Sequence, residues 1–223
     1  MNQNKICFIS CVNNDRMYKE CLTYLNNLNF PEKYEFEFLS IRNASSISAG
    51  YNEAMKSSDA KYKIYLHQDV LIIDKDFITT ILDVFNSDSK IGLLGLIGAK
   101  KLAEDCVWWN SQEKVGSVYD THRGFLEPIS FQKSDQYLND VQVVDGILMA
   151  TQYDVSFRSD LFNGWHYYDV SQSMEFRRKG YRVVVPAFEK PCCIHECGIT
   201  QTGYRFEFYR KLFFNEYFNE LEV

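Results

Sequence analysis

Residues 46–70 read SISAGYNEAMKSSDAKYKIYLHQDV, and two periodicities meet inside this stretch. Over 46–58, Ile47, Tyr51, Ala54 and Met55 recur at helical spacing. Over 62–66 the run Tyr-Lys-Ile-Tyr-Leu is short and rich in β-forming residues, which reads as a buried strand. The strand stops on His67-Gln68-Asp69. A helix therefore feeds a strand whose carboxyl end carries polar, ligand-capable side chains.

The same alternation extends in both directions. Residues 5–12 form an apolar run that ends in the turn signal Asn13-Asn14-Asp15. Helical spacing follows over 18–28, through Tyr18, Cys21, Leu22, Leu25 and Leu28, and Pro31 breaks it. A second strand is expected over 34–41, ending near Arg42-Asn43. Beyond Asp69, residues 76–85 carry an apolar helical stripe of Phe77, Ile78, Ile81, Leu82 and Phe85, and a fourth strand is expected over 91–97. Strand–helix alternation of this kind predicts right-handed βαβ units and a parallel sheet. Ligands of such sheets bind beyond the carboxyl ends of the strands, where the polar clusters of this sequence fall.

The second half is less regular. Residues 107–119 read as an aromatic strand, with Trp108 and Trp109 facing opposite ways. Residues 121–140 read as a polar loop, long enough to imply a function. An apolar strand over 141–150 is interrupted by Asp145-Gly146. A helix over 170–178 stops at Gly180, a strand follows over 181–185, and an aromatic-rich helix spans 204–221. No repeat or linker divides the chain.

The chain has 223 residues, 46% of them hydrophobic and 24% charged, the mix of an ordinary globular domain. Its net charge of −6 argues against nucleic-acid binding through a global basic field. No apolar run approaches the ~20 residues of a membrane span, and no signal-peptide core follows the N-terminus. The seven cysteines are an odd number and read mostly as reduced core residues, so a cytoplasmic placement is expected. The signatures of a P-loop, a dinucleotide fold, an α/β-hydrolase elbow and a C-x-x-C redox site are all absent.

Several positions admit two readings. Asp69 is placed to hold a hard divalent cation, or, like Asp74, it simply precedes the next helix. Asp169, after Trp165-His166-Tyr167-Tyr168, is a helix N-cap or a general base toward a hydroxyl. Cys192-Cys193-Ile194-His195-Glu196-Cys197 offers zinc-type donors, but no second pair stands at zinc-ribbon spacing; His195 alone is a metal or phosphate ligand, or a merely hydrogen-bonded histidine. The C-terminal aromatic helix either docks on the sheet or rests on lipid headgroups, and its glutamates favour docking.

Five segments, taken in order, resemble a known family. They are 46–59 (SISAGYNEAMKSSD), 62–70 (YKIYLHQDV), 143–150 (VVDGILMA), 164–169 (GWHYYD) and 180–195. The chain resembles the GT-A-type glycosyltransferases of the family 2 kind, and more narrowly a prokaryotic subgroup associated with capsule or other surface-polysaccharide assembly. The resemblance implies an α/β GT-A-like fold, with a mostly parallel central sheet flanked by helices. It also implies one domain over 1–223, with a nucleotide-sugar half (1–100) and an acceptor half (101–223).

The implied activity is metal-dependent, inverting transfer from a nucleotide sugar, UDP-linked by default, to a saccharide or lipid-linked acceptor. Ser10, Cys11, Asn13, Asn43, Gly50, Asn52 and Gln68 fall where the family contacts the donor. Asp69 matches the last acid of the D-x-D signature and His195 a histidine that completes the metal shell around Mn2+ or Mg2+. His67 stands where the first acid is usual, a departure that bears on the metal and ribose contacts. Asp169 matches the catalytic base. Trp108, Trp109, Asp145, Trp165 and His166 fall on the sugar or acceptor side. No nucleic-acid partner is implied, and peripheral membrane contact is an option for a lipid-linked acceptor.

Two other classes remain. A non-catalytic GT-A-like binding or scaffold subunit is motivated by His67 and the short chain. A nucleotidyltransferase shares the fold class, but residues 11–16 (CVNNDR) lack the glycine its phosphate loop needs.

Overall fold

A computed structural model describes residues 1–131, 136–200 and 202–221. Its N-terminal half follows the periodicities. β1 (Asn2–Val12) leads to α1 (Asp15–Leu25), whose cap is Asn14: the side-chain oxygen accepts from the N–H groups of Arg16 and Met17. β2 (Glu35–Arg42) returns parallel to β1. Ser46 caps α2 (Ile47–Ser57) by accepting from Ala49 N, and β3 (Ala60–Leu66) lies parallel to β1 on its other side. The turn over 67–69 leads into β4 (Val70–Ile72) and then α3 (Phe77–Ser87), which buries Phe77, Ile78, Ile81, Leu82, Val84 and Phe85. Asp74 serves the turn before α3, accepting from Asp76 N, and Asp69 takes no part in it.

The expected strand over 91–97 is two strands. β5 (Ile91–Gly95) belongs to one sheet and β6 (Ile97–Ala99) to another, with the chain crossing at Leu96. The expected strand over 107–119 is also corrected. Trp108–Asn110 form a 3-10 turn, and only β7 (Lys114–Asp120) is extended. The cause is Asp105, whose carboxylate accepts from Val107 N and from the Asn110 side chain, closing a local turn that competes with a strand.

Residues 121–140 are not one loop. β8 (Glu127–Ser130) pairs with β7, and β9 (Leu138–Asp140) joins the sheet edge; residues 132–135 lie outside the described ones. β10 (Val143–Val144) and β11 (Leu148–Thr151) flank the turn through Asp145-Gly146-Ile147. α4 (Tyr168–Arg178), β12 (Arg182–Pro186), β13 (Cys193–His195) and α5 (Tyr204–Tyr217) complete the order.

Among the described residues the main sheet has the order β2-β1-β3-β11-β5-β12-β9. It is mixed, which corrects the expectation of a mostly parallel sheet. β2/β1, β1/β3 and β5/β12 are parallel, whereas β3/β11, β11/β5 and β12/β9 are antiparallel. β11 inserts between β3 and β5 with every residue buried, so its sequence has the continuous apolar pattern of a parallel strand. The second sheet runs β10-β6-β7-β13-β4, with β8 off β7.

α5 buries Tyr209, Phe213 and Tyr217, and its Glu216 pairs with Arg158 and Arg178. Those internal ion pairs fit the docking reading of the helix. No helix among the described residues is long and apolar enough to cross a membrane. All seven cysteines are free thiols, five of them buried.

Candidate active site

β13 is the element that assembles the site. It lies between β4, where His195 is opposite Val70, and β7, where His195 is opposite Asp120. Asp69 O accepts from Glu196 N at 2.9 Å, and His67 N donates to Ile147 O at 3.1 Å. Three chain segments distant in sequence thus converge beyond the end of β3.

His67, Asp69 and His195 form one ligand group, with one atom from each lying within 4.8 Å of the others. His67 Nδ1 is 3.4 Å from His195 Nε2, and Asp69 Oδ1 is 3.7 Å from the same Nε2. Asp69 Oδ1 is buried and takes part in no hydrogen bond. A buried, unsatisfied carboxylate oxygen beside two imidazole nitrogens suits a divalent cation, so these residues fit the metal the fold implies. Burial, together with His195, lowers His67 to about 4, so the ring is neutral and able to ligate.

Asp120 is a site residue that the sequence alone did not reveal. Its Oδ2 accepts from His195 Nδ1 at 2.9 Å, while Oδ1 accepts from His122 N at 2.6 Å. Burial alone would raise this carboxyl, but the bonds to His195 and His122 hold it well below the carboxylate range. Burial likewise opposes charge on His195, and Asp120 overrides it, holding the imidazole well above its ordinary value. A carboxylate behind a ligating histidine fixes ring orientation. A signal does exist in the sequence: Asp120 ends a strand, as Asp69 follows one, and the strand expected over 107–119 stops one residue short of it. Cys197 Sγ also lies 3.7 Å from Asp120 Oδ1, so that cluster is internally bonded, while Cys192 and Cys193 belong to the core.

Asp169 is not the cap of α4. That position is Tyr167, in a left-handed conformation with φ 63° and no side-chain cap bond. Asp169 lies in the first turn of the helix, and its Oδ2 accepts from Gly146 N at 2.8 Å. Asp145 Oδ1 accepts from the next amide, Ile147 N, at 2.8 Å. The two carboxyls therefore flank one turn. Burial, reinforced by Asp145, lifts Asp169 to about 7, and burial raises Asp145 as well. A carboxyl that titrates near neutrality is suited to accept a hydroxyl proton.

A cleft of about 1030 Å3 opens over these groups. His67, Asp145, Asp169 and His195 line it together with Asp120. Trp108, Trp109, Trp165 and His166 line it too. Trp109 and Trp165 are 41% and 45% exposed, leaving indole faces open to a ligand, while Trp108 is buried. Burial, with Arg205 nearby, lowers His166.

The expected donor contacts do not line this cleft. Ser10 and Cys11 sit at the carboxyl end of β1, and the Ser10 hydroxyl is buried without a hydrogen-bond partner. A side chain at Gly50 would fall 2.6 Å from Cys11 Sγ and 2.9 Å from Ala44 Cβ, so the glycine is what lets α2 approach β1. Asn13 and Asn43 are exposed, Asn43 with φ 57°. Gln68 braces the β1–α1 turn: its Oε1 accepts from Asn13 N and Asn14 N, each at 2.9 Å, and its amide donates to Asn13 Oδ1. The Asn52 amide makes paired bonds to the Phe157 backbone, both 2.8 Å.

Solved proteins share this arrangement of strands and helices. The fold is similar to mannosyltransferase PcManGT from Pyrobaculum calidifontis, determined with GDP-Man and Mn2+, with a TM-score of 0.59 and 12% identity over 99% of this chain and 65% of that one. It is also similar to S. aureus TarS 1-349 in complex with UDP, with a TM-score of 0.58 and 11% identity over 99% of this chain and 67% of that one. TarS 1-349 with UDP-GlcNAc gives 0.53 and 11%, covering 92% and 61%. The chain thus has the fold of the GT-A-type nucleotide-sugar transferases and spans about two thirds of the length of these proteins. No curated protein matches it. A profile of the Glycosyltransferase like family matches residues 7–217, and the chain belongs to that family.

Proposed function

We propose that this chain is a metal-dependent, inverting glycosyltransferase. It takes a sugar from a nucleotide-sugar donor, UDP-linked by default, and passes it to a hydroxyl of a saccharide or lipid-linked acceptor. One observation carries the reading: a single cleft holds Asp169, with its carboxyl tuned to about 7, beside His67 and His195 of the metal-ligating group. The GDP-Man and Mn2+ of the similar mannosyltransferase and the UDP of TarS favour the same chemistry.

His67, Asp69 and His195 would hold a divalent cation, Mn2+ or Mg2+, whose positive charge would offset that of a departing diphosphate. Asp169 accepts the proton of the acceptor hydroxyl as that oxygen attacks the anomeric carbon. Attack opposite the diphosphate inverts the configuration. Gly146 N–H holds the Asp169 carboxylate in place. Trp109 and Trp165 offer flat faces for sugar rings, with Trp108, His166 and Asp145 around them. The exposed Asn13 and Asn43 contact the nucleoside, with Cys11 beside them; the buried Ser10 and Gly50 shape the β1–α2 packing beneath it, and Asn52 and Gln68 act through the segments they brace. The cytoplasmic setting and the role in surface-polysaccharide assembly belong to this proposal. So does contact of the exposed Tyr204 and Phe208 with a membrane surface.

The rival reading, a non-catalytic scaffold subunit, rests on His67 in place of an acid and on the short chain. An imidazole there offers a donor to the same ligand group, which answers the first of these grounds.

The deciding experiment is a thermal-shift panel of UDP, GDP, CMP and dTDP sugars, with and without Mn2+. A ligand held at a hundred times its Kd adds ~2.7 kcal/mol, an easily read shift. A metal-dependent shift with one nucleotide is expected, and no shift with any of them sinks the proposal. Asp69→Ala is expected to weaken nucleotide binding in the presence of metal and to leave metal-free binding unchanged. Titrations by calorimetry check this; identical affinities for both proteins with metal present remove Asp69 as a ligand.

A further inference from the structure

We infer that Asp145 and the Trp108 indole N–H together read one hydroxyl of the acceptor, the one beside the hydroxyl that reacts. The acceptor is then a sugar with two free hydroxyls on neighbouring carbons. The inference rests on the role of Asp169 proposed above and narrows it to a substrate class.

The turn through Asp145-Gly146-Ile147 holds two carboxyls by consecutive amides. Gly146 N donates to Asp169 Oδ2 and Ile147 N to Asp145 Oδ1, both at 2.8 Å. Consecutive Cα atoms are ~3.8 Å apart, so the two anchors are close neighbours. The carboxyls act on each other, since Asp145 adds to the burial that raises Asp169. Both line the cleft. Asp145 spends Oδ1 on the turn, and its Oδ2 accepts no hydrogen bond among the described residues. Hydroxyls on adjacent ring carbons suit such a pair, one carboxyl to each.

Trp108 supplies the second half of the reading. The residue lines the same cleft and is 7% exposed, and its Nε1 is buried without a hydrogen-bond partner. Burial raises the Asp145 carboxyl, while the Ile147 amide, His195 and this indole N–H oppose the rise, so the N–H acts toward Asp145. A buried donor without an acceptor marks a place that a ligand atom can fill. An indole only donates and a carboxylate only accepts. A hydroxyl meets both at one atom: its oxygen accepts from Trp108 and its proton goes to Asp145. An ammonium offers nothing to the indole, and an ether oxygen offers nothing to the carboxylate.

The pair is held from behind. Asp145 N donates to Ile97 O at 3.0 Å. Tyr167 Oη donates to Cys106 O at 3.0 Å, which ties the Trp108 turn to the start of α4, and Phe131 packs edge-on to the Trp108 ring.

The test offers p-nitrophenyl hexopyranosides, each beside its analogues lacking one hydroxyl, with the nucleotide sugar that the thermal-shift panel selects. The linkage in the product identifies the reacting hydroxyl. Removing its neighbour is expected to lower kcat/KM by ~10⁴-fold. Asp145→Asn and Trp108→Phe are expected to raise the KM of the parent glycoside by ~10–100-fold and to shrink the parent-to-deoxy ratio, with the donor Kd unchanged. Equal kcat/KM for the parent and the neighbouring-deoxy glycoside overturns the inference. So does a loss in either variant that falls on the donor Kd. Donor binding with transfer to no glycoside overturns it too and leaves the nucleotide-sugar reading standing; no donor binding removes both. The parent-to-deoxy ratio is measured on the unsubstituted protein, so poor folding of Trp108→Phe would not disturb it.

Discussion

Asp169→Asn is expected to slow sugar transfer by ~10²–10⁴-fold while leaving nucleotide and metal binding intact. Asp169 supplies no atom to the His67, Asp69 and His195 group. Asparagine keeps an oxygen for Gly146 N–H, so the turn beside it survives. The amide has no affinity for a proton, and the acceptor hydroxyl loses its base. In the unsubstituted protein the rate is expected to rise with pH along a limb near 7, the value to which burial and Asp145 lift Asp169.

Stability should move the other way. The folded-state pKa of Asp169 lies above its unfolded value, so its protonated form stabilises the fold fully below about pH 4, and that contribution is lost as pH rises toward and past 7. Asp169→Asn removes the cost of burying the ionised form. A higher Tm at pH 8 is expected, from a gain in stability on the order of a few kcal/mol at most, with little change at pH 4. Initial rates and melting curves across pH check both halves. Undiminished transfer by the variant would falsify the assignment of the base.

Gly146→Ala should damage both stability and activity. A Cβ there would collide with Tyr168 Oη and fall 2.5 Å from Tyr168 Cζ and 3.0 Å from Asp169 Cβ. Tyr168 cannot swing aside cheaply, since it is buried and its hydroxyl is bonded to both His67 and Gly146 O. The start of α4 must shift, and with it Asp169 and the Tyr168 hydroxyl that contacts His67. Overpacking of this kind costs ~1–3 kcal/mol, roughly 3–10 °C in Tm for a chain of this size. A displacement of ~1 Å at the base costs about 10²-fold in rate. Gly203→Ala is the control, because nothing lies within 4 Å of a Cβ there. Equal melting points for the two variants would show that the turn tolerates a side chain.

Which parts of this protein could be read from sequence follows from the range of the interactions. α1, α2 and α3 were legible because each writes its apolar face every three to four residues and α1 and α2 carry side-chain caps. β11 was legible as a strand but not in its direction, since a strand buried on both faces has no alternation to orient it. The Trp108–Asn110 turn was missed because Asp105 competes locally with the strand that the aromatics favour. In the site, Asp69, His195, Asp145 and Asp169 were singled out through segment resemblance and chemistry. Asp120 was not, because its role exists only through its bond to His195, 75 residues away across the β7–β13 pairing. His67 was noticed as a departure, and its partners Tyr168 and His195 come from elements more than a hundred residues downstream.

The seating of β13 between β4 and β7 also has a consequence for the integrity of the chain. His67 and His195 are 128 residues apart, and β13 itself is only three residues long. A cation shared by these rings closes a long loop, as a reversible staple would, and loops of that length carry the largest closure entropy. The same ion that serves the reaction would then fasten the C-terminal third, α5 included, to the N-terminal βαβ layer. Metal supply would govern how tightly the tail is held as well as how fast the sugar moves.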